Sequence, residues 1–204
     1  MRILLGLCLV LLLGACNRVI TDAPLFTASD APDAPRLREG LWVMLTDDDC
    51  RVDTRRPAHR WPGCASPMIV RGGELLGFKP EDGKQGEWER MPFVLAAGEP
   101  VVLQFESAED DGVTFQYFGL AGERMEDGRY AAFRMWPVLC GPPPPPTPKG
   151  EATRYVTLQP LPGMTIREDN CTTTSAGSVF AAAAASRAWA EGFARARWVR
   201  ATWP

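Results

Sequence analysis

Apolar and polar residues alternate with a period of two along most of the chain between residues 37 and 138. A period of two places successive side chains on opposite faces of an extended strand, so the pattern predicts strands with one buried face. The predicted strands are 41–45, 67–70, 75–78, 93–95, 101–105, 113–117 and 130–138, followed by shorter ones at 154–159, 164–166 and 198–200.

Turn signals separate these strands at short intervals. The turn sequences are Gly72-Gly73, Asp82-Gly83, Asp111-Gly112 and Asp127-Gly128. Glycine, and aspartate before glycine, tolerate the positive φ that tight hairpins require. Many short strands joined by such turns are typical of an antiparallel sandwich or a partly open barrel, so we expect a mainly β fold.

One segment near the C-terminus has a helical period instead. Apolar and small residues recur every three or four positions over 175–195, at Val179, Ala182, Ser186, Trp189 and Phe193. The preceding Ser and Thr residues can cap a helix N-terminus. The sequence therefore predicts a C-terminal α-helix over 175–195 that packs on the β domain, and α+β is an alternative label for the fold.

Residues 141–150 interrupt the β pattern with five consecutive prolines, Pro142–Pro146. Proline lacks the backbone donor that a sheet needs, so this segment is expected to form an extended or bent loop. Recognition by a proline-binding partner is the alternative interpretation. We expect residues 36–204 to form a single domain that contains this loop.

The first residues have the three parts of a secretory signal. Arg2 gives a positive start, and residues 3–13 are uncharged and mostly Leu, a stretch too short to span a bilayer as a helix. Leu13-Gly14-Ala15-Cys16 follows and resembles the lipobox of bacterial lipoproteins. The resemblance implies removal of residues 1–15 as a signal peptide, a diacylglyceryl group on the Cys16 thiol and acylation of its new amine. Ordinary secretion without lipid is the alternative.

The residue after Cys16 is Asn17, whereas aspartate at this place is the usual inner-membrane retention signal of that family. The resemblance therefore implies a protein anchored to the outer membrane and facing the periplasm. Residues 16–35 are rich in Ala, Asp and Pro, and we expect them to form a lipidated flexible tether with a reach of roughly 25 Å.

Composition limits the partners of the chain. Without residues 1–15 it would carry 21 basic and 25 acidic residues, and no basic stripe is present. Nucleic-acid binding is therefore not expected. The sequence specifies no cofactor. The expected partners are the membrane, through the lipid anchor, and an envelope protein or glycan.

Four further cysteines, Cys50, Cys64, Cys140 and Cys171, fit an oxidising compartment. Of the three pairings that four cysteines allow, we favour Cys50–Cys64 and Cys140–Cys171 because each closes a local loop. A zinc site formed by all four thiolates is the rival interpretation, but the ligand spacing typical of zinc is missing.

Residues that could support chemistry are few. His59 is the only histidine and has arginine neighbours that would favour its neutral form, which suits a general base. The acidic runs 47–49 and 109–111 could hold Ca²⁺ but lack its alternating ligand spacing. We therefore assign neither catalytic nor metal-binding residues. Of the seven tryptophans, Trp42, Trp88 and Trp136 lie in or beside predicted strands, where they would fill a core or line a sugar or peptide groove.

Three cysteine-containing segments, 61–65, 136–141 and 169–172, resemble those of small envelope lipoproteins, a resemblance that implies no activity. The leading hypothesis is a membrane-anchored binding or scaffolding module without enzymatic activity. The alternatives are a periplasmic hydrolase that uses carboxylates or His59, and a β barrel that binds lipid or another small ligand.

Overall fold

The structure is a computed structural model that describes residues 17–27, 33–79, 87–109, 112–144, 156–189 and 194–202. The strands are β1 (Ile20–Thr21), β2 (Arg36–Leu37), β3 (Gly40–Leu45), β4 (Ala65–Arg71), β5 (Glu74–Lys79), β6 (Glu87–Ala96), β7 (Val101–Glu109), β8 (Gly112–Glu126), β9 (Arg129–Pro137), β10 (Thr165–Arg167), β11 (Asn170–Thr172) and β12 (Ala194–Arg200). Helix α1 (Ala176–Ser186) lies between β11 and β12. The predicted mainly β fold with one α-helix is confirmed for these residues.

Eight strands close into an antiparallel barrel. Strands β3 to β9 are each hydrogen-bonded to the next, and β12 fits between β9 and β3. Arg197 of β12 shows the closure directly, because its register partners are Val43 on one side and Ala132 on the other. Of the two predicted architectures the barrel is therefore the correct one, and it is fully closed. Closure removes the exposed edges that an open sheet would present.

Apolar side chains fill the middle of the barrel. Trp42 of β3 and Phe133 of β9 are almost fully buried, and their ring centroids lie 5.4 Å apart. Other side chains of this core cluster that are at most 2 % exposed are Leu75, Leu103, Leu120 and Ala196. An eight-stranded barrel is just wide enough for side chains to fill its interior. The middle of this barrel is therefore a packed core.

Helix α1 is shorter than predicted. It begins at Ala176, with Ser175 as its cap, and ends at Ser186. The expected helix over 175–195 is therefore wrong for residues 187–189, which form a turn, and for residues 194–195, which belong to β12. The Ser186 hydroxyl donates to the Ala182 carbonyl and accepts from the Leu139 amide at 2.7 Å. This contact fixes the helix end against the barrel. Residues from Ala194 onward instead close the barrel as β12, because two neighbouring strands satisfy their backbone groups.

The indole of Trp136 joins α1 to the outer face of the barrel. Its Nε1 atom donates to the Ala183 carbonyl at 2.9 Å. Gly119 of β8 lies beneath the indole, and a Cβ atom at that position would collide with the ring. The predicted apolar stripe of the helix is buried here, since Val179, Ala182 and Ser186 are fully covered.

The N-terminal segment is not the flexible tether that the sequence suggested over 16–35, at least for residues 17–27. Strand β1 pairs with β8, and Val19 and Phe26 are buried. The Gln104 side chain accepts the amide hydrogens of Leu25 and Phe26 and donates to the Phe26 carbonyl. Apolar side chains and a buried amide thus hold this Pro- and Asp-containing stretch on the barrel.

Asn17 is held against the barrel by hydrogen bonds of both its side chain and its backbone. Its Nδ2 atom donates to the Gly141 carbonyl at 3.1 Å, and its Oδ1 atom accepts from the Thr157 amide at 3.0 Å. Its backbone also bonds to Asp169 and Cys140. Asn17 is 4 % exposed and has a φ of 67°, a conformation that asparagine tolerates better than most residues.

Both expected disulfide pairs are present. Cys50 and Cys64 have Cα atoms 5.9 Å apart and close the loop between β3 and β4. Cys140 and Cys171 have Cα atoms 5.8 Å apart and join the end of β9 to β11. Two thiol pairs at this distance leave no four-thiolate zinc site.

One further sequence prediction is wrong, and others concern residues that the structure does not describe. The predicted strand over 154–159 is wrong for residues 156–159, which form bends rather than a strand. Residues 1–15, Cys16 and the loop segment 145–150 lie outside the described residues. Among those that are described, no helix combines the length and the apolar character needed to cross a bilayer.

Candidate functional site

A cleft opens at the end of the barrel where residues 33–37 cross it. Its volume is about 400 Å³, within the range typical of small-ligand sites, roughly 300–1,000 Å³. Its lining includes Arg36, Leu37, Glu39, Val70, Phe93 and Arg129. They come from β2, the β2–β3 connection, β4, β6 and β9, so the barrel closure and the crossing segment together form the cleft.

The floor of the cleft is apolar and continuous with the barrel core. Leu37, Val70 and Leu95 are 3–8 % exposed and pack in the same cluster as Trp42. Phe93 packs against that cluster but is only partly buried. Alternation along β4 and β6 directs these side chains inward. A ligand in the cleft would therefore contact the inner face of the barrel.

Two arginines stand at the rim. Arg36 of β2 and Arg129 of β9 are register partners in a parallel pair, and both are exposed. Within the described part of the chain, neither side chain has a hydrogen bond or an ion pair. Partners in parallel strands direct their side chains to the same face. The rim thus carries two adjacent positive charges.

The carboxylates near the rim already have partners. Glu39 accepts the Gly72 amide at 3.4 Å, a long hydrogen bond to the β4–β5 turn. Glu126 forms an ion pair with Arg38 and another with Arg124, the latter at 3.1 Å. The Arg38 guanidinium also lies 3.8 Å from the centroid of the Trp198 ring. Neither carboxylate pairs with Arg36 or Arg129.

A second partly exposed apolar surface is formed by side chains of β6, β7 and β8, and its Phe105 is the register partner of the cleft residue Phe93. Met91, Phe105 and Phe118 pack against the barrel core but are not fully buried, and the two phenylalanine rings meet edge to face with centroids 5.5 Å apart. The Arg18 guanidinium lies 6.0 Å from the centroid of the Phe118 ring. This surface has no pair of charged groups comparable to that of the cleft among the described residues.

A charged network lies on the outer face of the barrel, away from the cleft. Glu123 of β8 contacts Arg134 Nε at 2.6 Å and Arg195 Nε at 3.0 Å. Partial burial alone would raise the pKa of Glu123, but hydrogen bonds from Arg134 and Arg195 and their positive charges hold that pKa below its usual value. The network links the three neighbouring strands β8, β9 and β12, and we interpret its role as structural.

The residues that the sequence singled out for chemistry do not converge. His59 lies exposed on a 3₁₀ turn, Ala58–Arg60, and in the described part of the chain its side chain forms no hydrogen bond or ion pair with an acidic residue or a hydroxyl. Asp47 accepts the Asp49 amide within its own turn, and Asp48 faces Arg195 at 3.7 Å. The second acidic run lies largely outside the described residues. No group of three or more His, Cys, Asp or Glu residues in the described ranges could hold a metal ion.

The tryptophans divide between core and surface. Trp42 and Trp136 are at most 1 % exposed, so they are core residues. Trp88 is partly exposed on the outer face, where its ring centroid lies 5.2 Å from that of Phe78. None of these three lines the cleft.

Sequence reasoning missed Arg36 and Arg129. Arg36 falls at the end of the predicted tether, and Arg129 follows the Asp127-Gly128 turn, which was identified only as a hairpin signal. An arginine in or next to a turn is commonplace. Their importance comes from the pairing of β2 with β9, which no local pattern contains.

Comparison of the chain with models of protein families, with characterised proteins and with solved structures finds no match.

Proposed function

We propose that this protein is a binding barrel for a small amphiphilic molecule, such as a lipid or a lipid fragment. The observation that carries the proposal is the cleft of about 400 Å³ whose floor is the partly exposed end of the barrel core. Apolar floors with a few polar groups at the rim are the usual composition of small-ligand sites.

The barrel architecture supports this proposal. Eight-stranded barrels hold one small ligand when side chains do not fill the whole interior. Here the middle is filled, whereas the end beneath residues 33–37 leaves Phe93 partly uncovered. A ligand would bury this surface, which contributes about 25 cal/mol for each Å² of apolar area removed from water.

We further propose that the barrel is held at a membrane through lipid on Cys16, in the outer membrane and facing the periplasm. The support for this is the lipobox resemblance of residues 13–16 and the Asn at position 17. The two disulfides fit the oxidising compartment that this location implies. A protein that is anchored beside a lipid surface has amphiphiles close at hand.

The binding proposal is tested with N-phenyl-1-naphthylamine, a neutral probe whose fluorescence rises in apolar surroundings. We expect saturable binding by the full chain with residues 1–15 removed. Ala34→Trp places a large side chain in the cleft, because Ala34 is one of its lining residues. This variant should lower the affinity by about tenfold, the loss of roughly 1.4 kcal/mol of binding.

The matched control is Ala184→Trp, on the exposed face of α1. It adds the same side chain away from the cleft and should leave probe binding unchanged. Circular dichroism confirms that both variants fold. Equal probe affinity in wild type, Ala34→Trp and Ala184→Trp would place any binding outside the cleft and defeat the proposal.

The anchor has its own test. We expect metabolic labelling with palmitate to mark the precursor expressed in a bacterium, and fractionation to recover the product with the outer membrane. Cys16→Ser should abolish both results because it removes the thiol that accepts the lipid. Membrane association and labelling that persist in Cys16→Ser would refute the anchor.

A further inference from the structure

We propose that the cleft selects amphiphiles with an anionic head group, a carboxylate or a phosphate, and that Arg36 and Arg129 bind that group. This inference rests on the proposed binding function and specifies the ligand class of the same site. It concerns the rim of the cleft, whereas the function rests on the floor.

The first support is the position of the two arginines. Arg36 and Arg129 are register partners, so their Cα atoms lie on neighbouring strands, roughly 5 Å apart. Like charges on directly opposite residues disfavour strand pairing. Within the described residues no carboxylate neutralises either side chain, so an anion bound between them would relieve this repulsion.

The second support is the contrast with neighbouring arginines. Arg38 and Arg124 share Glu126, and Arg134 contacts Glu123 at 2.6 Å. Each of these three guanidinium groups is paired inside the described structure. Arg36 and Arg129 are not, although the chain as a whole has a formal net charge of −3. Two uncompensated cations at one rim are thus a local exception to the charge of the protein.

The third support is the arrangement of charge around an apolar floor. Both arginines line the same cleft as Leu37 and Phe93. Guanidinium groups donate paired hydrogen bonds that match carboxylate and phosphate oxygens. A molecule that places its acyl chain on the floor and its anionic group at the rim satisfies both halves of the site at once.

The acidic residues of the cleft do not oppose this arrangement strongly. Glu39 is the only carboxylate among the lining residues that the structure describes, and its Oε1 atom accepts from Gly72 on the β4–β5 turn. Glu126, the register partner of Arg129 across the β8–β9 hairpin, is committed to Arg38 and Arg124. Asp127 is exposed in the turn that follows Glu126. These groups leave the two rim arginines as the available cations.

The experiment measures displacement of N-phenyl-1-naphthylamine by four ten-carbon ligands: decanoate, decyl phosphate, decanol and decyltrimethylammonium. We expect at least one anion to bind about tenfold more tightly than decanol, the preference expected of a charge-assisted hydrogen-bonded contact. The cation should bind more weakly than decanol. Added salt should reduce the anion preference, because exposed charges are screened.

Arg36→Gln with Arg129→Gln should bring the anion affinity down to that of decanol while decanol binds as before. Arg55→Gln with Arg60→Gln is the matched control, since both residues are exposed on the Cys50–Cys64 loop and the change in net charge is the same. Arg36→Lys with Arg129→Lys keeps the charges and should retain part of the preference.

Each outcome decides the inference. Preference for decanoate, decyl phosphate or both, lost in the Gln pair and kept in the control, supports it and identifies the head group. Equal binding of all four ligands overturns the anion selectivity but leaves the binding barrel standing. No displacement by any ligand, with no probe binding, overturns the proposed function as well. Anion preference that survives in the Gln pair shows that other residues bind the head group.

Discussion

The hydroxyl groups of Thr21 and Tyr117 lie 2.6 Å apart and join β1 to the outer face of β8. Tyr117 is 2 % exposed and also packs its ring against Phe26, with centroids 6.1 Å apart. Burial raises the pKa of Tyr117, and the hydrogen bond with Thr21 offsets part of that rise. The docking of the N-terminal segment is therefore coupled to the ionisation of the Tyr117 phenol.

Stability should decline at alkaline pH because of Tyr117. Its pKa is raised in the folded state, so its contribution is complete below the ordinary tyrosine pKa of about 10 and is lost as the pH rises through the folded value. Tyr117→Phe should flatten that alkaline decline and cost about 1 kcal/mol at neutral pH through the lost hydrogen bond. Urea unfolding at a series of pH values measures both effects, and an unchanged alkaline slope would contradict this assignment.

Replacement of Asn17 should destabilise the fold more than a surface substitution. Asn17→Ala leaves the Gly141 carbonyl and the Thr157 amide unpaired and places alanine at a φ of 67°. We expect a loss of about 3 kcal/mol or more in the free energy of unfolding. Asn17→Gly removes the same side-chain bonds without the backbone strain and should cost less. Equal losses for the two variants would show that strain is unimportant there.

The two disulfides should differ in how much each contributes to the free energy of unfolding. The Cys140–Cys171 pair spans 31 residues and the Cys50–Cys64 pair spans 14. Chain entropy then predicts losses of about 3.7 and 3.0 kcal/mol when each pair is replaced by serines. Cys140–Cys171 also lies beside Asn17, so its removal should additionally increase proteolysis of residues 17–27. Denaturation and limited proteolysis of the two double variants test this order.

The Glu123 network should support the fold only above acidic pH. The pKa of Glu123 is lowered, so its contribution is present above the ordinary glutamate pKa of about 4.3 and is lost as the pH falls through the folded value. Glu123→Gln should cost no more than about 1 kcal/mol at neutral pH, because the side chains are partly exposed. The cost of the same substitution should shrink as the pH falls below the ordinary glutamate pKa. Glu74→Gln, whose contact with Arg90 is 3.9 Å, provides the control.

Local patterns were sufficient to predict most barrel strands. The period of two identified β3 to β9, and the Asp127-Gly128 turn adopts positive φ at both residues. The apolar stripe of α1 was recognised as well. These features depend on neighbours within a few residues, which is the range over which strand and turn preferences act.

The predicted strand 198–200 lies within β12, but the pairings that close the barrel could not be predicted from such patterns. Strand β12 pairs Arg195 with Leu45, a residue 150 positions earlier, and with Arg134. The helical period of residues 175–189 continued into β12 in the sequence, so the expected helix ran too far. Long-range pairing decided the end of the helix against its local signal.

The N-terminal segment and the cleft were missed for a related reason. Residues 17–27 contain too few apolar positions to predict a strand, yet Gln104 supplies a buried partner for their backbone. The cleft depends on the pairing of Arg36 with Arg129 in the β2–β9 register, and these residues are 93 positions apart in the sequence. A tether and a hairpin turn are reasonable local interpretations, and only the fold brings these residues together.

The hydrogen bonds that fix Asn17 to the barrel determine how the barrel would be oriented relative to a membrane. Asn17 directly follows Cys16 in the sequence. If lipid is attached to Cys16 as proposed, the lipid-bearing residue is the neighbour of Asn17, whose carbonyl accepts the Cys140 amide just beyond the end of β9. Strand β9 runs from that end to Arg129, a span of roughly 26 Å along the strand. The lipid anchor would then lie near the C-terminal end of β9. The cleft would open at the other end of the barrel, on the side that faces away from the membrane.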